Sequence, residues 1–218
     1  RDAQLTADRL LHGSGSKVVG FVSALPGEGK STVAANFACL LAANGVKTLL
    51  IDGDLRNRGL TRNLSNVSGD GLVEAVTGEQ RWSSYVRVDR GTGVAILPAS
   101  GRLGHSAEWL SGPGMRDLIA EARKVFSYIV VDLPPLGPVI DAKAFEPMAN
   151  AFIVVAKWGS TPRALLRTTM QSEPAIAAKT VGIILNRVDM KKLPRYASAG
   201  GAEGYLGQYG SYYREQRS

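Results

Sequence analysis

The chain has 218 residues and a formal net charge of +7, from 26 Lys and Arg against 19 Asp and Glu. Its apolar fraction of 44% and charged fraction of 21% are those of ordinary globular proteins, which excludes disorder throughout and a fibrous repeat. No apolar run approaches the roughly 18 residues of a membrane-crossing helix, no signal peptide precedes the first strand pattern, and the length suits a single α/β domain.

Short β-branched runs bounded by Gly, Asp or Pro alternate with longer Ala- and Leu-rich stretches. A strand is expected at Lys17 to Ser23, then a long helix from Lys30 to Ala43 stopped by Asn44-Gly45. Strands follow at Thr48 to Asp52 and Gly93 to Leu97, a helix at Met115 to Val125, and strands at Tyr128 to Asp132 and Ala151 to Ala156. A helix at Pro162 to Gln171 and a strand at Thr180 to Asn186 complete the series. Several strands are almost wholly apolar, as when both faces of a sheet are covered. The expected fold is therefore α/β, a doubly wound, mainly parallel sheet flanked by helices over residues 1–188. From about Asp189 the pattern dissolves into Ala-Ser-Ala-Gly-Gly and a Gly- and Tyr-rich end, read as a flexible tail over 189–218.

In doubly wound sheets ligands sit beyond the carboxyl ends of the strands, and each unusual polar cluster here follows a strand. After Val18 to Val22 comes Ala24-Leu25-Pro26-Gly27-Glu28-Gly29-Lys30-Ser31-Thr32 and then a helix, the P-loop pattern with Ala24 in place of the first glycine. Its glycines let successive amide N–H groups turn inward while the helix N-terminus adds partial positive charge. ATP is the expected ligand, cradled by Pro26, Gly27, Glu28, Gly29, Lys30, Ser31 and Thr32. Lys30 reaches the β- and γ-phosphates, and the Ser31 hydroxyl ligates Mg²⁺. A chance Gly-rich turn is the bland alternative, disfavoured by the strand before and the helix after.

Two further strand ends carry carboxylates. Leu49-Leu50-Ile51-Asp52-Gly53-Asp54-Leu55-Arg56 delivers two, which share a face if the strand continues that far. Ile129-Val130-Val131-Asp132-Leu133-Pro134-Pro135 delivers a third, read as a Walker B aspartate holding Mg²⁺ directly or through water. Each alone would read as a turn or helix-cap residue; beside a P-loop, two such strand ends point to a metal-nucleotide site. Cys39, the only cysteine, reads as a small buried hydrophobe, and His12 and His105 lack partners at metal-ligand spacing. The positive charge favours anionic partners, but the basic residues are scattered and no nucleic-acid motif accompanies them, so none is expected to bind.

The P-loop, then three apolar residues and Asp-x-Asp-x-Arg, then three apolar residues and Asp-x-x-Pro, together resemble the three motifs of bacterial tyrosine kinases. The resemblance runs from about Val18 to Asn186 and includes Thr161-Pro162-Arg163 after a Trp-Gly strand end. Partition and septum-positioning ATPases share the loop but usually carry a signature lysine four residues before its second glycine. Leu25 stands there, and Pro26-Gly27-Glu28 also looks like the kinase version. The resemblance implies a catalytic set of Lys30, Asp52, Asp54 and Asp132, with Asp52 as base and Asp54, Asp132 and Ser31 at the metal. It also places Asn186 near adenine, where a turn-capping role is an equal alternative.

Four tyrosines, Tyr205, Tyr209, Tyr212 and Tyr213, lie within nine residues and resemble the tail that such kinases phosphorylate on neighbouring copies; Tyr196 is a weaker fifth. After Asn186 the chain has six basic and three acidic residues, so two or three phosphotyrosines, at roughly −1.5 to −2 each, would neutralise or reverse its charge. An unmodified tail is expected to dock in a neighbour's acidic site and leave once phosphorylated. The usual setting of the family implies an inner-membrane complex controlling capsule or exopolysaccharide, a transmembrane co-polymerase domain fused or separate, and an opposing phosphatase. Opening at Arg1, the chain is compatible with an excised cytosolic domain of such a parent. Of the family's ring-packing Glu-x-x-Arg-x-x-Arg stretch the glutamate is absent or cut away, and Gln4 stands where the second arginine would fall if Arg1 were the first, so this fragment is not expected to form a ring. An ATPase switch controlling dimerisation or membrane recruitment is the rival function.

Overall fold

The computed structural model describes residues 15–63, 69–78, 80–99, 106–137, 140–189 and 192. Expectations placed on Gln4, His12, His105, Tyr196, Tyr205, Tyr209, Tyr212 and Tyr213 lie outside the described residues. The chain divides into two units, Arg1–Asn186 and Arg187–Ser218. In the second, Arg187 has a φ of 57° and the Lys192 N–H donates to the Asp189 carbonyl at 3.0 Å. The sheet lies in the first unit.

Its strands are β1 (Lys17–Ser23), β2 (Thr48–Asp52), β3 (Arg87–Val88), β4 (Ala95–Leu97), β5 (Tyr128–Asp132), β6 (Ala151–Lys157) and β7 (Thr180–Asn186). Among the described residues they form one sheet in the order β3-β4-β2-β5-β1-β6-β7. Every neighbouring pair is parallel except β3 with β4. The helices are α1 (Lys30–Ala43), α2 (Leu72–Thr77), α3 (Ser106–Ser111), α4 (Pro113–Arg123), α5 (Asp141–Phe145), α6 (Arg163–Ser172) and α7 (Pro174–Ala178).

The central strands are apolar at consecutive positions because each face of the sheet has its own core. Val18, Val22, Leu49, Ile51, Ile129, Val131 and Phe152 pack with Leu72, Leu110, Met115, Leu118 and Phe145 from α2 to α5. The alternate residues Val19, Phe21, Leu50, Val130, Ile153 and Val155 pack with Ala34, Phe37, Ala38 and Leu41, the buried stripe of α1. Phe37 ties that layer together, its ring 5.5 Å from Phe21 and 6.3 Å from Tyr128. Helix α1 ends at Asn44, and Gly45 turns the chain with a φ of 78°.

Several boundaries move for local reasons. The strand expected from Gly93 starts at Ala95, because Gly93, at φ 77°, belongs to the turn that leads out of β3. Helix α4 starts two residues early at Pro113, whose ring suits a first helical position, and α6 starts one residue after Pro162. Cys39 is half-buried rather than buried, since it sits one step round α1 from the stripe that faces the sheet.

Candidate functional site

Three chain crossings bring the predicted residues to the carboxyl edge of the sheet. Gly27 and Gly29 take φ values of 77° and 88°, left-handed conformations that suit glycine, and they curl the segment between β1 and α1. Lys30 then opens α1 with only 5% of its surface exposed. Register does the rest: β2 and β5 pair in parallel with Asp52 opposite Asp132, so the two carboxylates stand side by side at the same level. Strand β2 ends at Asp52, so strand alternation does not bring Asp54 to the site. A turn does, with the Asp54 N–H donating to Asp52 Oδ1 at 3.2 Å and the Asn57 N–H donating to Asp54 Oδ1 at 3.0 Å.

The Lys30 ammonium donates to Asp132 Oδ1 and lies 3.6 Å from Asp54 Oδ2. Asp52, fully buried, accepts the Thr61 N–H at 2.8 Å and the Thr61 hydroxyl at 2.6 Å on Oδ2. That hydroxyl in turn accepts the Ala99 N–H at 2.7 Å, so its proton is committed to the carboxylate. Burial, then the neighbouring Asp132 charge, raise Asp52 to about 6, against the hydrogen bonds from Thr61 and the charge of Lys30. Burial also raises Asp132, opposed chiefly by Lys30.

Two observations test the fit to Mg-ATP. Among the described residues Asp132 Oδ2 is buried and has no hydrogen-bond partner, leaving an acceptor for a cation or a cation-bound water. The donor set of a hydroxyl and carboxylates is hard oxygen, as Mg²⁺ requires. Among the described residues no three acidic, His or Cys side chains converge tightly enough to hold a metal unaided. Mg²⁺ is usually held by one or two carboxylates together with waters and substrate phosphates. Ser31, Asp54 and Asp132 would hold it here.

Glu28 has a part that its loop position does not reveal. Its buried carboxylate accepts the Leu25 N–H at 2.8 Å through Oε2, and the Thr161 hydroxyl and the Lys157 N–H, the latter at 3.3 Å, through Oε1. Asn186 donates its amide to the Glu28 carbonyl at 2.9 Å. The loop is thereby tied to the ends of β6 and β7, and Asn186, expected near adenine, acts in this structure as a backbone partner of the P-loop. Asp141, at the start of α5, was also missed. It is fully buried and accepts Arg56 Nε at 2.8 Å and the Ser106 hydroxyl at 2.5 Å. No local pattern announces either tie, because apart from Leu25 the partners come from 35 to 158 residues away. A cavity of ≈ 340 Å³ opens beside the site, lined by Ser31, Thr32, Ala35 and Cys39 of α1 together with Leu60 and Ile96.

Residues 20–200 match the CobQ/CobB/MinD/ParA nucleotide binding domain. The succinoglycan biosynthesis transport protein ExoP of Rhizobium meliloti is 49% identical over 218 residues, 99% of this chain, which spans only 28% of that relative's length. Tyrosine-protein kinase CpsD of Streptococcus pneumoniae is 30% identical over 190 residues, covering 86% of this chain and 80% of CpsD. Among solved structures, the VpsO kinase domain superposes with a TM-score of 0.75 at 29% identity, covering 86% of this chain and 95% of that one. The chain therefore belongs to the CobQ/CobB/MinD/ParA nucleotide-binding family, on the branch of the bacterial tyrosine kinases.

Proposed function

We propose that the chain is an ATP-dependent protein-tyrosine kinase whose acceptors are C-terminal tyrosines, Tyr205, Tyr209, Tyr212 and Tyr213, of a neighbouring copy. The observation that carries this reading is the meeting of Lys30, Asp52, Asp54 and Asp132, all buried, at the mouth of a glycine-curled phosphate loop. In the reaction the bond between the γ-phosphorus and the β–γ bridging oxygen breaks and a bond to the tyrosine oxygen forms. ADP departs with the bridging oxygen, and the phenolic proton passes to Asp52. A free phenol has a pKa near ~10, so a base is needed at neutral pH, and a carboxylate raised towards neutrality by its surroundings is better matched to that task than an exposed one.

The backbone N–H groups of Gly27 to Lys30 and the Lys30 ammonium stabilise charge on the transferring group. Mg²⁺, when bound, supplies Lewis-acid charge neutralisation on the phosphates. Ser31, Asp54 and Asp132 hold that ion, and Glu28 with Thr161 keeps the loop in shape. The cavity lined in part by Ser31 and Thr32 is large enough for a phenol ring.

By analogy with the succinoglycan biosynthesis transport protein, the kinase acts on exopolysaccharide or capsule polymerisation or export. It works at the bacterial inner membrane with a transmembrane co-polymerase domain, fused or separate, and a phosphatase resets it. No helix among the described residues is long and apolar enough to cross a membrane. Incubation with Mg-ATP followed by phosphotyrosine detection tests the reading, with Lys30→Met as control. Phosphotyrosine on the tail of an inactive partner copy is the expected result; free phosphate without phosphotyrosine would make the chain an ATPase switch instead.

A further inference from the structure

The segment from Asp54 to Arg62, which folds over the carboxyl end of β2, carries three arginines, and their surroundings differ. Arg56 is bound through Nε to the buried Asp141, and Arg62 donates from Nη2 to Asn57 Oδ1 at 2.6 Å. Arg58 has a buried Nε–H with no hydrogen-bond partner among the described residues. A buried donor left without a partner calls for an explanation, most simply an acceptor that arrives with a ligand. The backbone of Arg58 is also strained, with a φ of 50° in the left-handed region that a glycine would adopt freely. It is held there by its neighbours: the Arg58 N–H donates to the Asp54 carbonyl at 2.6 Å, and its own carbonyl accepts the Arg62 N–H at 3.0 Å. Strain of this kind in a bulky polar residue collects at functional sites.

The position of the segment says which ligand. The next residue, Gly59, lies so close to the P-loop that a Cβ on it would stand 3.2 Å from the Ser31 hydroxyl oxygen. Arg58 therefore adjoins the residue that packs on Ser31, the hydroxyl that ligates the metal on the proposed reading. Charge points the same way. Lys30 is shared between Asp132 and Asp54, and Asp52 adds a third carboxylate, so a triphosphate entering this site needs positive charge beyond Lys30 and the metal.

We infer that Arg58 is a further catalytic residue, an arginine supplied by the chain's own loop that donates hydrogen bonds to the non-bridging oxygens of the ATP γ-phosphate. It exchanges no proton. Its guanidinium offsets the charge on the three equatorial oxygens while the phosphoryl group moves. The inference rests on the reading of this edge as a Mg-ATP site and extends it to a residue outside the three motifs.

The test compares Mg-ATP with Mg-ADP, which lacks the group Arg58 is said to bind. Calorimetric titration of the chain and of Arg58→Gly should show the ratio of the Kd for Mg-ATP to that for Mg-ADP rising about tenfold or more, the size of a charge-assisted contact. Glycine suits the left-handed backbone, so the melting temperature of the nucleotide-free variant should be unchanged or higher. Arg58→Lys, which keeps the charge and loses the fork, should fall between. Phosphotransfer by Arg58→Gly should drop by about 10³-fold, the lower end for such an arginine. Equal weakening of ATP and ADP, or no change in either, overturns the inference. If the parent chain forms no phosphotyrosine but Arg58→Gly still loses its preference for ATP, the kinase reading falls and the Arg58 contact stands. If phosphotyrosine forms and the preference survives in Arg58→Gly, the Arg58 contact falls alone.

Discussion

Both ends of the sheet gather polar groups, half-exposed at one and buried at the other, and they treat them in opposite ways. At the amino ends of β1, β5 and β6, Arg123 donates to the carbonyls of Ser16 and Met148 at 2.9 and 3.2 Å and to Asn150 Oδ1 at 2.9 Å. Asn150 Oδ1 also accepts the Val18 N–H at 2.9 Å, and the Asn150 N–H returns a bond of the same length to the Val18 carbonyl. The Arg123 donors there meet neutral oxygens, and the atom left without a partner at that end among the described residues is an uncharged hydroxyl, Ser16 Oγ. At the carboxyl ends, Asp52 and Asp132 are held side by side by register, Asp132 Oδ2 has no partner, and Arg58 is strained. One end is arranged to close the fold; the other gives up stability for a site that a charged ligand would complete.

The sharpest way to break this contrast is at Lys30. Lys30→Met should leave a folded protein, by circular dichroism, whose phosphotransfer is lower by at least about 10²–10³, as for loss of one preorganised donor to the reacting group. Activity within tenfold of the parent would mean that the carboxyl edge is not the reacting site. Asp52→Asn should separate function from stability. Its folded pKa of about 6 lies above the ordinary 3.8, so the folded state holds the proton more tightly and loses stability as pH rises between the two values. That loss amounts to about 3 kcal/mol above pH ~6, and a neutral amide escapes it. In metal-free buffer the variant should therefore unfold at higher urea than the parent near pH 8, with the gap closing below about pH 4, while phosphotransfer is lost. A gap that does not change with pH would show that burial of the Asp52 charge is not its source. Arg123→Ala should do the reverse, costing about 2–3 kcal/mol in urea unfolding while the Kd for Mg-ATP stays within about twofold.

The same contrast explains what could be read along the chain. Strands β1, β2, β5 and β6 were legible because apolar runs ending at Ser, Asp or Lys mark fully covered strands, β7 from its apolar run alone although Ile183 and Leu185 are exposed, and α1 because fourteen Ala- and Leu-rich residues follow the P-loop and stop at Asn44-Gly45. Helices α2, α3, α5 and α7 have only five or six residues, too few to show a period, and β3 is two exposed residues defined by their pairing with β4. The P-loop and the three aspartates were legible because each is a short motif at a strand end. The groups that orient them were not. Thr61 sits nine residues beyond Asp52 in a polar loop, Asp141 follows a Pro-containing stretch with no pattern of its own, and Glu28 acts through residues 129 and 133 positions away. Tertiary packing chooses those partners, and no spacing rule anticipates them.

The smallest expected effect concerns one of these unannounced ties. The Thr161 hydroxyl donates to Glu28 Oε1 and accepts the Lys157 N–H at 2.9 Å. Thr161→Val keeps the shape of the side chain and removes both bonds, leaving Glu28 Oε1 with the Lys157 N–H at 3.3 Å. The cost to stability should be about 1–2 kcal/mol, less than that of Arg123→Ala. A stabilising tie at the carboxyl end differs from one at the amino end in what it supports. Because Glu28 also holds the Leu25 N–H, loosening it should disturb the phosphate loop. The KM for ATP should then rise by about two- to fivefold, roughly 0.5–1 kcal/mol, with kcat nearly unchanged, since no group that touches the reacting atoms has been altered. Steady-state kinetics on Thr161→Val and Arg123→Ala side by side decide the matter. If both raise KM alike, general loosening of the fold is enough to weaken ATP, and the division between the two ends of the sheet does not hold.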